Sequence, residues 1–268
     1  MADDERGFAA CSRNTFDEVA SLYDEVRPGY PAEIIDAIVA LAGLPPGGRI
    51  LEIGCGTGQI TLPFAARGYA ILALEPGNAL AALAAQKCRS YPRVDVLPTT
   101  FEAWPVERGT FDLALSAQAF HWIEPEYGCA KAAIALARGG ALALVWHLDV
   151  LEHTAFWQAT QPIYDTFFPT TADDPGVSLA AMLRRYEEIL RRSEAFADLR
   201  QIRHAWERAY AGGDYLKLLS TFSNYGALPG PDRVRFSRAI AEVIDHADGV
   251  VHRRYETVLL LARRTGEG

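Results

Sequence analysis

A strand that runs through three alternating glycines into a helix constrains this chain more than any other feature. Leu51-Glu52-Ile53-Gly54-Cys55-Gly56-Thr57-Gly58-Gln59 begins as a short apolar run and ends at the head of a helical stretch. Glycine permits left-handed backbone and lets bare N–H groups approach a ligand, while a helix N-terminus favours negative charge. The segment predicts a small-molecule cradle, against the competing reading of a glycine turn with no ligand. A dinucleotide fingerprint requires its third glycine at position 59, where Gln59 stands, so the spacing is Gly-x-Gly-x-Gly. The second apolar run ends in Leu74-Glu75-Pro76, which sets a carboxylate 21 residues after Gly54. At that spacing a carboxylate bonds the ribose hydroxyls of an adenosine.

Around this loop, short apolar runs alternate with helical stretches, the pattern of βαβ units about a parallel sheet. Predicted strands are Ile50 to Ile53, Ala70 to Leu74, Val94 to Leu97, Phe111 to Leu115 and Ala141 to Trp146. Predicted crossover helices are Gln59 to Arg67, Asn78 to Cys88 and Glu126 to Leu136. The strands are almost wholly apolar, which implies burial on both faces, as in a doubly wound sheet. Ahead of them, Asn14 is a candidate N-cap for a helix from Thr15 to Tyr23, and Pro31 opens a second helix through Ile34, Ile35, Ile38 and Leu41. Between the two, Arg27-Pro28-Gly29-Tyr30 reads locally as a turn.

Beyond Leu148 the pattern becomes helical, over Thr154 to Phe168 and Leu179 to Phe196, broken by Pro169 and by Asp173-Asp174-Pro175-Gly176. Two strand-like runs follow, Gln201 to Ala209 and Tyr255 to Ala262. The expected organisation is therefore N-terminal helices over 1–43, a ligand-binding core over 44–147, a helical cap candidate over 148–200, and completion of the core sheet over 201–268. The charge-rich stretch from Arg184 to Arg192 mixes signs at helical spacing and reads as a solvated helix face.

Composition narrows the function. Across 268 residues, 34 acidic against 26 basic side chains leave a net charge of −8, the wrong sign for gripping a phosphate backbone, so nucleic acid is disfavoured as a partner. Cys11, Cys55, Cys88 and Cys129 are widely spaced, without a Cys-x-x-Cys pair or a histidine at ligand spacing, and no metal site is expected. The N-terminus is acidic, and no apolar run approaches the length of a membrane span. The expectation is a cytoplasmic protein without a membrane partner.

With these residues in view, the chain resembles the class I S-adenosylmethionine-dependent methyltransferases, in the group often called type 11. Gly54, Gly56 and Gly58 match that family's first motif, and Ala73-Leu74-Glu75-Pro76-Gly77 its ribose-binding motif. Thr99 to Pro105 matches the adenine-binding turn, while Thr110 to Leu113 and Ser116 to Trp122 match the fourth strand and its exit loop. Leu136 to Leu142 is similar to the family's turn before strand five, with Arg138 where proline is usual. Tyr23 to Pro31, His121-Trp122, Thr221 to Tyr225 and Arg254 to Thr257 further resemble a subgroup similar to trans-aconitate methyltransferase.

The resemblance implies an α/β fold: a doubly wound, Rossmann-like, seven-stranded sheet with an antiparallel last strand, an N-terminal helical lid and a helical cap inserted after strand five. It implies S-adenosyl-L-methionine as cofactor and a small organic acceptor, a carboxylate or a hydroxyl, methylated by in-line transfer. On its motif positions, Gly54, Gly56 and Gly58 would hold the methionine moiety, Glu75 the ribose, and Pro76 one face of the adenine. Thr100 and the Phe101 N–H would meet the adenine edge, although aspartate is more usual at position 100. Ser116 and Gln118 would lie beside the methionine carbons, and Tyr23 would join the cofactor set. Tyr30, Arg27, Trp122, His147 and Tyr225 are candidates for substrate contact.

His121 is the candidate general base, with pocket-shaping as its other role. Tyr23, Tyr30 and Trp122 are candidates for cation–π contact with the sulfonium or for ordinary core aromatics, and His147 is open between acceptor contact and a satisfied buried histidine. Glu52 is open between ordering the loop and touching the cofactor's amino group. Two other classes remain as alternatives, an NAD-dependent oxidoreductase and a non-catalytic S-adenosylmethionine-binding regulator. The first is disfavoured by Gln59 and by the lack of a second nucleotide-binding half.

Overall fold

The computed structural model describes residues 20–150, 154–169 and 179–266. The Asn14 cap and the Asp173 to Gly176 turn lie outside the described residues. The chain divides into two compact units. One comprises the described residues of Pro28–His147, Leu179–His204 and Thr257–Gly268, and the other those of Met1–Arg27, Leu148–Ser178 and Ala205–Glu256.

The first unit holds most of the sheet. Its strands are β1 (Arg49–Ile53), β2 (Ala70–Leu74), β3 (Val94–Leu97), β4 (Phe111–Ala117), β5 (Leu136–Asp149), β6 (Phe196–Ala211) and β7 (Val250–Arg264), in the order β3-β2-β1-β4-β5-β7-β6. The order reverses between β1 and β4, the switch point at which ligands bind in open α/β sheets. Pairing of β3 with β2, β2 with β1, β1 with β4 and β4 with β5 is parallel. The last strand turns back: the Arg264 guanidinium bonds the Leu136 carbonyl, and Thr257 meets His147, so the end of β7 lies beside the start of β5. The two long outer strands are likewise opposed, with Thr265 N–H on the Ala195 carbonyl at one end. The expected seven-stranded sheet with a reversed last strand is what the chain forms.

The helices are α1 (Ala20–Val26), α2 (Ala32–Ala42), α3 (Thr61–Ala66), α4 (Asn78–Lys87), α5 (Pro125–Ala135), α6 (Ala155–Phe167), α7 (Leu179–Arg192), α8 (Gly212–Ser220), α9 (Ser223–Ala227) and α10 (Gly230–His246). In the sheet unit, Ile34, Ile35 and Ile38 of α2 and Phe64 of α3 pack with Ile50, Ile71, Leu113, Ala143 and Leu259 into one core. Gly43 stops α2 in left-handed backbone, with the Leu44 N–H reaching the Val39 carbonyl.

Four expectations change here. Leu136 to Gly140 is not a turn before strand five but part of β5, paired from Phe111↔Leu136 through a register shift that takes up Gly139 at φ +75°. The helix expected over Leu179 to Phe196 ends at Arg192, and Phe196 opens β6, ahead of the expected start at Gln201. The cap expected over 148–200 is divided, because α7 belongs to the sheet unit, where Leu183, Tyr186 and Leu190 are buried and Tyr186 stacks on Trp146. The expected core completion over 201–268 is divided too, since 205–256 belongs to the second unit.

That second unit has its own core of Val26, Tyr210, Tyr215, Leu218, Phe236, Ile240 and Tyr255. The Phe236 ring takes Tyr164, Phe167 and Phe168 edge-on, at centroid separations of 5.3–5.6 Å, the geometry that the aromatic quadrupole favours.

Candidate functional site

The glycine loop leaves β1 at its C-terminal end and is pinned there by the backbone. The N–H groups of Gly54 and Cys55 both bond the Leu74 carbonyl at the end of β2. Gly54, Gly56 and Gly58 all have positive φ, at +73°, +56° and +87°, which explains glycine at each. α3 begins at Thr61, two residues later than expected.

Two buried carboxylates stand behind the loop. Glu75, 6% exposed, accepts the Gly56 N–H on Oε2 and the Gly77 N–H on Oε1, both at 2.9 Å. It therefore ties the loop to the turn after β2. Pro76 beside it is exposed. Glu52, 1% exposed, accepts from the Thr61 hydroxyl at 3.0 Å through Oε1, while its Oε2 has no hydrogen-bond partner among the described residues. Burial, together with the nearby charge of Glu75, pushes the Glu52 carboxyl up to about 8, against the opposing bond from Thr61. At neutral pH Glu52 is thus largely a protonated acid at the back of the loop.

The exit of β4 closes the cradle from the other side. Ala119 lies so near Gly54 that a Cβ on the glycine would stand 2.4 Å from the alanine's. Gln118 holds φ +57°, strained for a residue with a side chain, and its N–H bonds the Val145 carbonyl. Its side-chain amide reaches the His147 carbonyl at 3.5 Å. Ser116 lies within β4, buried, with its hydroxyl on the Ile53 carbonyl at 2.7 Å, so it fixes β4 to the start of the loop. Thr100 accepts the Ala103 N–H on its hydroxyl, shaping its own turn, and Phe101 is buried beside Trp104.

The two histidines separate because successive residues of β5 point to opposite faces. Trp146 carries its indole to the α7 side, where its N–H meets His121 Nδ1 at 3.4 Å, and His121 itself is exposed with Trp122 beside it at 5.0 Å. His147, 8% exposed, points the other way, with Nδ1 2.8 Å from the Thr257 hydroxyl and the Tyr30 ring stacked 4.5 Å from its own. The structure brings Tyr30, Gln118 and His147 together beside the glycine loop.

Tyr23, Arg27 and Tyr225 belong to the second unit. There Arg27 donates to the Thr221 hydroxyl and carbonyl, each at 2.9 Å, and lies over the rings of Phe222 and Tyr23. Tyr225 bonds Ser237 through its hydroxyl. Thr61, Ala119 and Thr257 carry supporting roles that the sequence reading did not assign. Ala119 and Thr257 carried a signal there, each as part of a matched motif. Among the described residues, no group of histidine, cysteine, aspartate and glutamate side chains is arranged to hold a metal ion, and no helix is long and apolar enough to cross a membrane.

A parallel sheet with a β1/β4 switch point, a Gly-x-Gly-x-Gly loop at the end of β1 and a carboxylate at the end of β2 define a Rossmann-like nucleoside-binding fold. Residues 50–140, about a third of the chain, match the family described as the methyltransferase domain. An uncharacterized methyltransferase of Mycobacterium tuberculosis (strain ATCC 25618 / H37Rv) is 34% identical over 142 residues, 51% of this chain and 55% of the relative. The match thus spans about half the relative's length. Among solved structures, a putative type II methyltransferase from Anaeromyxobacter dehalogenans has a TM-score of 0.58 at 22% identity, over 89% of this chain and 97% of that one. The (4+2)-cyclase SpnF has a TM-score of 0.58 at 17% identity, over 93% and 94%. At those identities the likeness is one of fold.

Proposed function

We propose that the protein transfers a methyl group from S-adenosyl-L-methionine to a small organic molecule bearing a carboxylate or hydroxyl. The observation that carries the reading is the pair of bonds from the Gly56 and Gly77 N–H groups to the buried Glu75 carboxylate. They set an acidic group beside a loop whose three glycines all hold positive φ. The residues fit the cofactor. Gly54, Gly56 and Gly58 offer bare backbone to the methionine end, Glu75 offers its carboxylate to the ribose hydroxyls, and exposed Pro76 offers an apolar face to the adenine. The unpartnered Oε2 of Glu52 leaves one buried polar atom behind the loop for the amino-acid end or a bridging water.

The cofactor supplies a methyl group already activated on a sulfonium, so the protein's task is alignment and exclusion of water. Gln118, held in strained backbone between Gly54's neighbour Ala119 and the end of β5, sets the acceptor side, with His147 and Tyr30 as its wall. Thr257 fixes the His147 ring. An acidic acceptor needs no base, which suits the exposed position of His121.

Calorimetric titration with S-adenosylmethionine and with NAD tests the cofactor, and an acceptor screen that reads release of S-adenosylhomocysteine tests the reaction. Binding of NAD in preference would overturn the reading. So would cofactor binding without turnover across carboxylate and hydroxyl acceptors, which would leave a binding protein.

A further inference from the structure

We propose that the groove between α5 and α7 binds an amphipathic monoanion, an organic carboxylate or sulfonate on an apolar body, at a site separate from the glycine-loop cradle. The groove encloses about 970 Å³ and lies wholly within the sheet unit. Its walls include Arg108 and Gly109, just before β4, Ser193 and Ala195, just before β6, and Arg264, which closes β7, with Thr265 after it. Because β1 and β4 are parallel, residues before β4 and the loop after β1 stand at opposite ends of the sheet. The groove is therefore not the cofactor's site.

The charge balance of the lining opposes that of the chain. Four arginines, 108, 185, 192 and 264, face two glutamates, 126 and 188, in a protein of net charge −8. Arg185 is 3.4 Å from Glu126 and so partly neutralised, and Arg264 is bonded to a carbonyl, which leaves its charge in place. The guanidinium groups of Arg108 and Arg192 have neither a hydrogen bond nor an ion pair among the described residues. Beneath them lie Cys129 and Ala133, both buried, with Ile134 and Ile189.

This combination selects one chemistry. Guanidinium groups present a donor fork that matches the oxygens of a carboxylate or sulfonate, and they act more strongly beside an apolar, low-dielectric surface. The apolar floor rewards a hydrocarbon or aryl body and gives nothing to a small inorganic anion. A neutral apolar molecule would leave the arginines unused. Exposed Glu188 at the rim opposes a second negative charge. The volume is that of a site for a drug-sized ligand.

The probe is 8-anilinonaphthalene-1-sulfonate, titrated into the full chain and followed by its fluorescence. Saturable binding is expected, unchanged by saturating S-adenosylhomocysteine and displaced by octanoate far better than by octanol. Charge reversal in the R108E/R192E variant should weaken it tenfold or more. A plug without change of charge, Ala130→Trp on the exposed part of the α5 wall, should abolish it, and this arm decides if the double reversal fails to match the wild-type circular dichroism melt. Equal affinity in Ala130→Trp, displacement by S-adenosylhomocysteine, or equal competition by octanol would each overturn the proposal.

Discussion

Gly54 and Ala119 are in a contact that leaves no space for a side chain, since a Cβ on the glycine would come within 2.4 Å of the alanine's. Gly54 also sits at φ +73°, so substitution meets strain and collision together. Gly54→Ala should therefore lose about 1–3 kcal/mol of stability, the range for overpacking and strained backbone. Cofactor binding should fall with it, because Ala119 or the loop must move. Melting curves and calorimetry with S-adenosylhomocysteine check this, and a variant indistinguishable from wild type in both would remove the tight cradle from the reading.

Glu75 bonds one amide of the glycine loop and one of the turn after β2, so its loss frees both. Glu75→Ala should weaken S-adenosylmethionine binding by roughly 1.5–3 kcal/mol, the scale of hydrogen bonds to a charged group. Glu75→Gln, which keeps one acceptor oxygen, should fall between. An unchanged dissociation constant for Glu75→Ala would mean that the nucleoside lies elsewhere.

Glu52 makes stability depend on pH in a defined direction. Its carboxyl is raised from 4.5 to about 8 in the folded chain, chiefly by burial. Between those values the folded state keeps a proton that the unfolded state has released. The contribution is thus full below about pH 4.5 and is lost as pH rises towards 8. Glu52→Gln cannot titrate. Wild-type stability relative to this variant should fall with a slope approaching about 1.4 kcal/mol per pH unit, read from urea unfolding at pH 5, 6.5 and 8. A difference that stays flat, or rises with pH, would contradict a protonated Glu52.

What the sequence made legible follows from how local each constraint is. The loop at Gly54 to Gly58 and the carboxylate at Glu75 were readable because positive φ and a strand-end acid impose residue types on the chain itself. Strands β1 and β2 were readable because burial on both faces leaves near-continuous apolar runs. The start of β5 was not, since Arg138-Gly139-Gly140 has the composition of a turn and only its partner Phe111 reveals a bulged strand. The N-terminal part of β6 was also missed, because Phe196 to Arg200 is buried at its first residue and mostly exposed after it, without the alternation that marks a strand, and Asp198 there holds φ +53°. The roles of His121 and His147 depend on which way Trp146 points, and that is set by packing against Tyr186 rather than by any neighbour in sequence.

That packing gives a prediction for His121. Its ring is exposed, and its Nδ1 receives the Trp146 indole N–H. His121→Ala should lower kcat by much less than the ~10²–10⁴-fold typical of a lost general base. His147→Ala, which removes the ring held between Tyr30 and Thr257, should cost more. A wild-type rate that climbs through pH 6–7 and loses that limb only in His121→Ala would restore His121 as the base.

The segment expected to act as a lid gives the last prediction. Within the described residues, α1 contributes Val26, 1% exposed, to the core of the second unit, and it packs on α8. Arg27 then bonds Thr221 twice and stacks on Phe222 at 4.4 Å. A cover that opens freely would have to expose Val26 and break those bonds on each cycle, at a cost of several kcal/mol from hydrogen bonds and apolar burial together. The amides of α1 should therefore be protected from hydrogen exchange without ligand and gain little when S-adenosylhomocysteine binds. Arg27→Ala should lower stability by about 1.5–3 kcal/mol, from the lost charged hydrogen bonds. Rapid exchange in free protein that slows sharply with ligand, together with an unchanged melting temperature for Arg27→Ala, would instead make α1 the moving cover.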